Sequence, residues 1–174
     1  MGKTSKKQMD RDERKVLTLL EKNAKDSIDN IAKKCGFSRQ KVWRIIKRLE
    51  KSKTIWGYTA ITDTEHLDLQ NYVILINKTS EPVEKLVDLI LSREVEKKAK
   101  EMKISISQSE YLHGVYDWLI CFSATDIKHA KRFCELLNSA YQKHIKNLIL
   151  IERIFSIKKF GVENPNMKRL KEFT

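Results

Sequence analysis

Long apolar runs are absent from this sequence. No stretch approaches the roughly 18 uncharged apolar residues that a membrane-spanning helix needs, so we expect no membrane partner. Lys3, Lys6 and Lys7 lie close to the N-terminus, but no apolar segment follows them, which argues against a secretory signal. Together these absences predict an intracellular, cytoplasmic protein.

Cysteine is scarce. The sequence contains Cys35, Cys121 and Cys134, which lie far apart and form no C-x-x-C pair. A disulfide framework needs paired cysteines, and a zinc site needs closely spaced ligands. We therefore expect three small, reduced core residues, no metal site and no cofactor.

Positive charge, in contrast, is abundant and unevenly distributed. The formal net charge is +12. Residues 1–55 hold 17 Lys/Arg and 7 Asp/Glu, a net of +10, whereas residues 56–174 hold 18 and 16, a net of +2. This distribution is expected if one domain contacts a polyanion and the other does not. A basic surface that is merely solvated is the alternative, and the placement of the helices decides between the two.

Apolar residues at helical spacing predict three short helices in the first third of the chain. Ser27 and Ser38 are good N-cap residues for the second and third, and Asp10 or Asp12 can cap the first. Gly36 suits the left-handed conformation that ends a helix. The predicted helices cover residues 10–22, 28–35 and 39–51.

The chain is long enough for two small domains, and it contains no internal repeat or low-complexity tract. Residues 55–61 alternate like a short strand or wing, and a polar connection follows them. The predicted organisation is a winged helix-turn-helix domain over residues 9–61, a linker over 62–71, a second domain over 72–160 and a C-terminal tail over 161–174.

The second domain shows an alternation of strands and helices. Strands are predicted over residues 72–77, 104–112, 115–124 and 148–157, and helices over 82–102 and 126–144. This order, βαββαβ, predicts an α+β fold with a ferredoxin-like second domain. Two helices cover only one face of such a sheet. We therefore expect a partner on the other face, in a homodimer at least, with a tetramer or octamer as larger alternatives.

Ala32, Gly36 and Val42 have the spacing of a DNA-binding helix-turn-helix. Ala32 lies where the two helices would cross closely, Gly36 supplies the turn, and Val42 fills the core between the helices. Because three helices can show this spacing by chance, the spacing alone is moderate evidence for DNA binding. The polar face of the third helix is stronger evidence for it.

Polar side chains cover nearly every position of the third helix that does not face the core. Arg39 and Gln40 have the donor geometry to read guanine and adenine edges in the major groove. An ordinary solvated helix is the alternative, but five Lys/Arg against one acid before Lys51 argue against it. The candidate DNA-binding residues are Ser38, Arg39, Gln40, Lys41, Trp43 and Arg44, with Lys33, Lys34, Lys47 and Arg48 at phosphates.

Trp43 has several possible roles. The indole can pack on the first helix, lie along the sugar-phosphate backbone or contact a thymine methyl group. Of these, a partly buried position is the one we expect.

The sequence resembles the Lrp/AsnC family, the leucine-responsive or feast/famine regulators of bacteria and archaea, at the helix-turn-helix residues and beyond them. The resemblance extends from Met9 to about Phe160. The residues that carry it are Asp10–Leu20 (DRDERKVLTLL), Asn23–Ser27, Ile31, Ala32, Gly36–Ser38, Val42, Arg44, Ile45, Arg48–Glu50, Ile55–Tyr58 and Gly114–Asp117.

The resemblance implies a promoter-binding first domain and a second domain that dimerises and binds an effector. In that family amino acids or related metabolites bind between such modules, near the loop that corresponds here to His113, Gly114, Tyr116 and Asp117. Gly114 would let the backbone approach a ligand, and Asp117 would accept hydrogen bonds from an ammonium group. A tight turn at Gly114 and a structural hydrogen bond at Asp117 are the alternatives.

The sequence departs from the family pattern at several positions. His113 replaces a small hydroxyl residue, and Lys53 and Asp68 replace glycines before the wing and in the linker. The helix after Pro82 is longer and more charged than usual. These changes put the effector pocket in doubt while leaving dimerisation intact.

Two other functions compete with a regulator. Some haem-biosynthesis decarboxylases resemble this architecture, but His66, His113, His129 and His144 show no ligand spacing, and no Ser-His-Asp or Cys-His constellation can be assembled. We therefore expect no enzymatic activity. An architectural protein that coats DNA with little sequence preference is permitted by the charge, and it remains the alternative.

Overall fold

The computed structural model describes residues 3–173, with side chains over 10–64 and 66–173. The chain forms two compact units. The first runs to Ile61 and includes Ile157–Met167, and the second comprises Thr62–Ser156 and the chain from Lys168 onward. None of the described helices is both long and apolar enough to cross a bilayer.

Three helices form the main part of the first unit: α1 (Lys3–Lys22), α2 (Ile28–Cys35) and α3 (Arg39–Lys51). The predicted caps of α2 and α3 are confirmed. Ser27 Oγ accepts a hydrogen bond from Asn30 N at 3.1 Å, and Ser38 Oγ accepts one from Lys41 N at 3.3 Å. Gly36 has φ 70°, the left-handed conformation that ends α2.

The start of α1 was predicted wrongly. The helix begins at Lys3, so Asp10 and Asp12 lie inside it and neither is an N-cap. The Asp12 side chain is instead nearly buried against α3.

Val16, Ile31, Ala32, Val42 and Leu49 form the core of the helical unit, each almost fully buried. Ala32 and Val42 thus occupy the crossing and core positions that the helix-turn-helix spacing predicted. No strand forms over residues 55–61, so of the two predicted alternatives, a short strand or a wing, the structure has a wing without β pairing. Ile55 contacts the core, whereas Trp56 is 94% exposed.

The second unit contains a four-stranded sheet with the strand order β2-β3-β1-β4, in which every neighbouring pair is antiparallel. This arrangement is ferredoxin-like, as the predicted βαββαβ order requires. Its elements are β1 (Gln70–Lys78), α4 (Val83–Leu91), α5 (Glu94–Glu101), β2 (Ser105–Tyr111), β3 (Trp118–Ala124), α6 (Ile127–Ala140) and β4 (Ile145–Arg153).

The two faces of the sheet differ. Tyr72, Ile74 and Ile76 alternate along β1 and are fully buried in the core beneath the helices. Their neighbours Val73 and Leu75 point to the opposite face, where they pair with Ile151 and Ile149 of β4. These four side chains stay partly exposed in the single chain.

Several predicted boundaries differ from the structure. The helix predicted over residues 82–102 is two helices, because Arg93 adopts φ 57° and breaks the helical hydrogen-bond ladder. β3 begins at Trp118 because the preceding residues form a loop. β4 begins at Ile145 and ends at Arg153, earlier than predicted.

Regular structure continues from the end of the predicted second domain into the segment predicted as a tail, residues 161–174. β5 (Lys158–Lys159) pairs with β6 (Val162–Glu163), and a 3-10 helix covers Met167–Phe173. The Phe155 and Phe173 rings lie 5.5 Å apart, centroid to centroid, within the second unit. Another 3-10 turn, Glu65–Leu67, precedes β1.

Candidate nucleic-acid interface

One face of α3 presents polar and aromatic side chains to solvent. Gln40 lies about one helical turn before Trp43 and Arg44, and Lys47 lies about one turn after them; all four are exposed. Arg44 Nε donates to Gln40 O at 3.4 Å, a long contact that leaves most of the guanidinium donors unused. We call these four residues the exposed face of α3.

Trp43 is more exposed than a partly buried residue would be, with 51% of its surface accessible. The three tryptophans differ in exposure: Trp56 is almost fully exposed, whereas Trp118 is only 8% exposed and lies in the core of the second unit.

Arg39 lies in the first turn of α3, immediately after the Ser38 cap. Its guanidinium is 3.6 Å from Asp29 Oδ1, and both side chains are mostly exposed. A solvated pair of this kind contributes little to stability. The guanidinium of Arg39 can therefore exchange Asp29 for another anion.

Lys41 and Arg48 do not lie on the exposed face of α3. Lys41 Nζ is 2.7 Å from Asp12 Oδ2 on α1, and it also lies 4.0 Å from the centroid of the Phe37 ring. Arg48 Nε donates to Glu13 Oε1, also on α1. Both cations thus join α3 to α1.

Lys47 is paired within its own helix. Its ammonium lies 2.8 Å from Glu50 Oε2, and this hydrogen bond raises the pKa of Lys47 and lowers the pKa of Glu50. The Tyr58 hydroxyl donates to the other oxygen of the same carboxylate. Glu50 therefore connects the extended wing to the last turns of α3.

The two lysines of α2 differ in their surroundings. Lys34 Nζ is 2.6 Å from Asp26 Oδ2, and this bond lowers the pKa of Asp26. Lys33 is exposed and forms no ion pair with any residue that the structure describes. Of the pair, Lys33 is the more available to a phosphate.

Sequence reasoning missed the acids that hold these cations. Asp12, Glu13, Asp26 and Glu50 each neutralise a residue predicted to contact DNA. The i, i+3 spacing of Lys47 and Glu50 was a readable signal. The other three pairs depend on how the helices and turns fold together.

The loop between β2 and β3 holds the predicted effector-binding residues. His113 and Gly114 are exposed, and Tyr116 is half-buried. Asp117 Oδ2 accepts a hydrogen bond from Lys78 N at 2.9 Å, and Asp117 N donates to Ile76 O. Asp117 therefore has a structural role at the end of β1.

Gly114 is not required by the fold of this loop. A Cβ at this position would meet nothing within 4 Å, and the φ angle is not in the left-handed region. On the next residue, Val115 O accepts a hydrogen bond from Asn77 Nδ2 at 2.6 Å, which holds the loop against β1. The loop is thus anchored to the sheet by Asp117 and by this carbonyl.

Comparison with known proteins agrees with this arrangement. Residues 9–55 match a family described as winged helix-turn-helix DNA-binding. The leucine-responsive regulatory protein of Haemophilus influenzae is 37% identical over 75 residues, which are 43% of this chain and 45% of that protein. The match thus covers less than half the length of that relative.

Solved structures extend the likeness to most of the chain. An AsnC family transcriptional regulator from Agrobacterium tumefaciens has a TM-score of 0.62 and 22% identity, over 86% of this chain and 92% of that one. The resemblance to the Lrp/AsnC regulators is confirmed. A transcriptional regulator from Neisseria meningitidis, in complex with L-methionine, has a TM-score of 0.65 and 17% identity, over 90% of this chain and 97% of that one.

Proposed function

We propose that this chain is a sequence-specific DNA-binding transcription regulator of the Lrp/AsnC type, which binds promoter DNA through α3. The observation that carries the proposal is the exposed face of α3, presented by the second helix of a winged helix-turn-helix. A major groove about 12 Å wide admits one α-helix. Gln40, Trp43 and Arg44 of the exposed face would then meet the base edges.

The chemistry of the exposed face suits base reading. The guanidinium of Arg44 can bind guanine O6 and N7 with two donors, and the amide of Gln40 can bind adenine N6 and N7. The half-exposed ring of Trp43 offers an apolar surface to a thymine methyl group.

Other residues would hold the helix in register. Arg39 lies at the N-terminal end of α3, where recognition helices approach the bases. We expect Ser38, Lys33, Lys34 and Lys47 to contact phosphate oxygens. These contacts would position the protein without reading sequence.

We further propose that the chain works as a homodimer or a larger assembly. Val73, Leu75, Ile149 and Ile151 form an apolar stripe on the sheet face opposite the helices, and they stay partly exposed in the single chain. Such a stripe on a monomer is a characteristic of protein interfaces. A second copy of the same sheet would cover it.

An amino acid or related metabolite is the effector class we propose for the loop at His113, Gly114, Tyr116 and Asp117. The N. meningitidis regulator was solved with L-methionine, which supports this class of ligand. A carboxylate can accept several hydrogen bonds. Asp117 can therefore bind an ammonium group while it retains Lys78 N.

An architectural, low-specificity DNA-coating protein is the second candidate, favoured by the net charge of +10 over residues 1–55. Competition between promoter and unrelated DNA at physiological salt separates the two. A specific regulator retains selected fragments against a large excess of unrelated duplex. Loss of all binding under that competition would favour the coating protein.

The experiment that tests the regulator is selection of bound fragments from genomic DNA, with and without a panel of amino acids. We expect enrichment of a small set of related sites, and a change in enrichment with at least one amino acid. A selected pool indistinguishable from the input would contradict sequence-specific binding.

A further inference from the structure

Two of the six cations of α3, Lys41 and Arg48, pair with acids of α1. Lys41 and Arg48 are seven residues apart, so they lie on the same side of the helix about two turns apart. Their partners, Asp12 and Glu13, are consecutive residues of α1. Two consecutive acids of α1 therefore contact α3 at two points about two helical turns apart.

We propose that Asp12 and Glu13 withdraw Lys41 and Arg48 from phosphate contact and use them to fix the orientation of α3. In this arrangement Lys41 and Arg48 are positioning residues. The cations of α3 that have no partner on α1 in the described residues, and are therefore left to meet DNA, are Arg39, Arg44, Lys47 and Lys51. The inference rests on the proposed DNA-binding function, and within it distinguishes the cations that orient α3 from the cations that contact DNA.

Burial explains why Lys41 stays in place. The Asp12 side chain is only 9% exposed, and a carboxylate so far from water loses much stabilisation when its cation leaves. Lys41 Nζ also lies over the face of the Phe37 ring, where the ring quadrupole attracts it. A phosphate would have to compete with both interactions.

The second pair acts one residue along α1. Arg48 Nε donates to Glu13 Oε1, and both side chains are partly buried. A guanidinium held through Nε keeps a defined direction, because the group is planar. The pair therefore limits rotation of α3 about its own axis relative to α1.

The consequence concerns how affinity is divided between phosphates and bases. Each phosphate neutralised by Lys or Arg adds about 0.9 to the slope of log affinity against log salt. The two cations of α3 that acids of α1 neutralise would lower the sequence-independent part of binding. The exposed face of α3 then contributes a larger share of the discrimination.

The test compares the two paired cations of α3 with an exposed cation of α2 that has no ion pair in the part of the chain that the structure describes. Lys41→Gln, Arg48→Gln and the control Lys33→Gln are made in the full chain, and binding to a random-sequence duplex is measured over a series of salt concentrations. We expect the slope of wild type in Lys41→Gln and Arg48→Gln, and a slope lower by about 0.9 per bound protomer in Lys33→Gln. A fall of that size in Lys41→Gln or Arg48→Gln would overturn the inference.

A charge exchange covers the case in which a single variant folds poorly. Arg48→Glu alone is expected to weaken binding to selected DNA, and Glu13→Arg added to it is expected to restore affinity to within about threefold of wild type. If Arg48 contacts phosphate, the double variant stays weak, which refutes the inference. If wild type binds no duplex at any salt, the proposed function itself fails, and this inference fails with it.

Discussion

The Tyr58 hydroxyl donates a hydrogen bond of 3.2 Å to Glu50 Oε1, which ties the extended wing to the end of α3. Glu50 Oε2 is at the same time 2.8 Å from Lys47 Nζ. One carboxylate therefore holds a residue of the exposed face of α3 and a residue of the wing. Disturbing this carboxylate affects both parts of the predicted DNA-binding surface.

Tyr58→Phe removes this hydrogen bond and keeps the ring. We expect the free energy of unfolding to fall by about 0.5 kcal/mol, the lower end for a hydrogen bond because the group is half exposed. Urea denaturation measures it. Tyr111→Phe is the matched control, since Tyr111 is similarly exposed and its hydroxyl has no hydrogen bond to any described residue. Equal effects in the two variants would show that the bond to Glu50 is unimportant.

Arg39→Ala and Arg44→Ala should each weaken binding to a selected site by about 1–3 kcal/mol if the guanidinium contacts a base. Titration of a labelled duplex gives the affinities. Arg132→Ala, on α6 of the second unit, serves as the control and should leave affinity unchanged. Wild-type affinity in both α3 variants, with folding intact, would remove α3 from the interface.

Lys53→Gly should stabilise the protein. Lys53 has φ 59°, a left-handed conformation that is unfavourable for a residue with a Cβ by about 1 kcal/mol or more. The added freedom of glycine in the unfolded chain offsets part of this gain, so we expect a net increase of about 0.5 kcal/mol.

The control for Lys53→Gly is Arg14→Gly, an exposed position inside α1. It should lower stability by about 1 kcal/mol, because glycine is a poor helix former. Thermal unfolding of both variants measures the contrast. Destabilisation by both substitutions would mean that the strain at Lys53 is negligible.

Ile151→Glu should dissociate the proposed dimer. Ile151 is 42% exposed in the single chain and lies on the sheet face opposite the helices, where a charge would have to be buried at an interface. Ile127→Glu is matched in exposure but lies on α6. We expect a halved mass by light scattering for Ile151→Glu only. A monomeric wild type would refute the proposed dimer.

Stability should fall as the pH rises from about 9 to 11. Burial raises the pKa of the Cys134 thiol to about 11, so the folded protein keeps a proton that the unfolded chain releases nearer pH 9. Deprotonation then favours the unfolded state. Burial also raises the pKa of Tyr141 to about 12, which extends the decline. Urea denaturation at several pH values should show a shallower decline in Cys134→Ala.

The order of elements could be predicted because it depends on local patterns. Apolar spacing, serine caps and Gly36 fixed α2 and α3 almost to the residue. Strand alternation gave the ferredoxin-like order. Lys53 and Asp68 were recognised as replacements of glycine, and both indeed have left-handed φ angles, 59° and 52°.

Features that depend on tertiary contacts could not be predicted in the same way. The partners of Lys41 and Arg48 lie far away in sequence, and only the crossing of α1 and α3 brings them together. The helix breaks at Arg93 without a neighbouring glycine or proline, which are the residues from which a break can be predicted. The wing lacks β pairing because a strand needs a partner, which alternation alone cannot supply.

The uneven placement of the three tryptophans gives the molecule built-in optical probes. Trp118 is enclosed in the second core, so its fluorescence reports the integrity of that unit. Trp56 is open to collisional quenchers such as iodide, whereas Trp43 stands on the surface that would meet DNA. Replacing Trp56 with phenylalanine leaves a single quenchable indole, and its shielding follows occupancy of α3 without any attached dye.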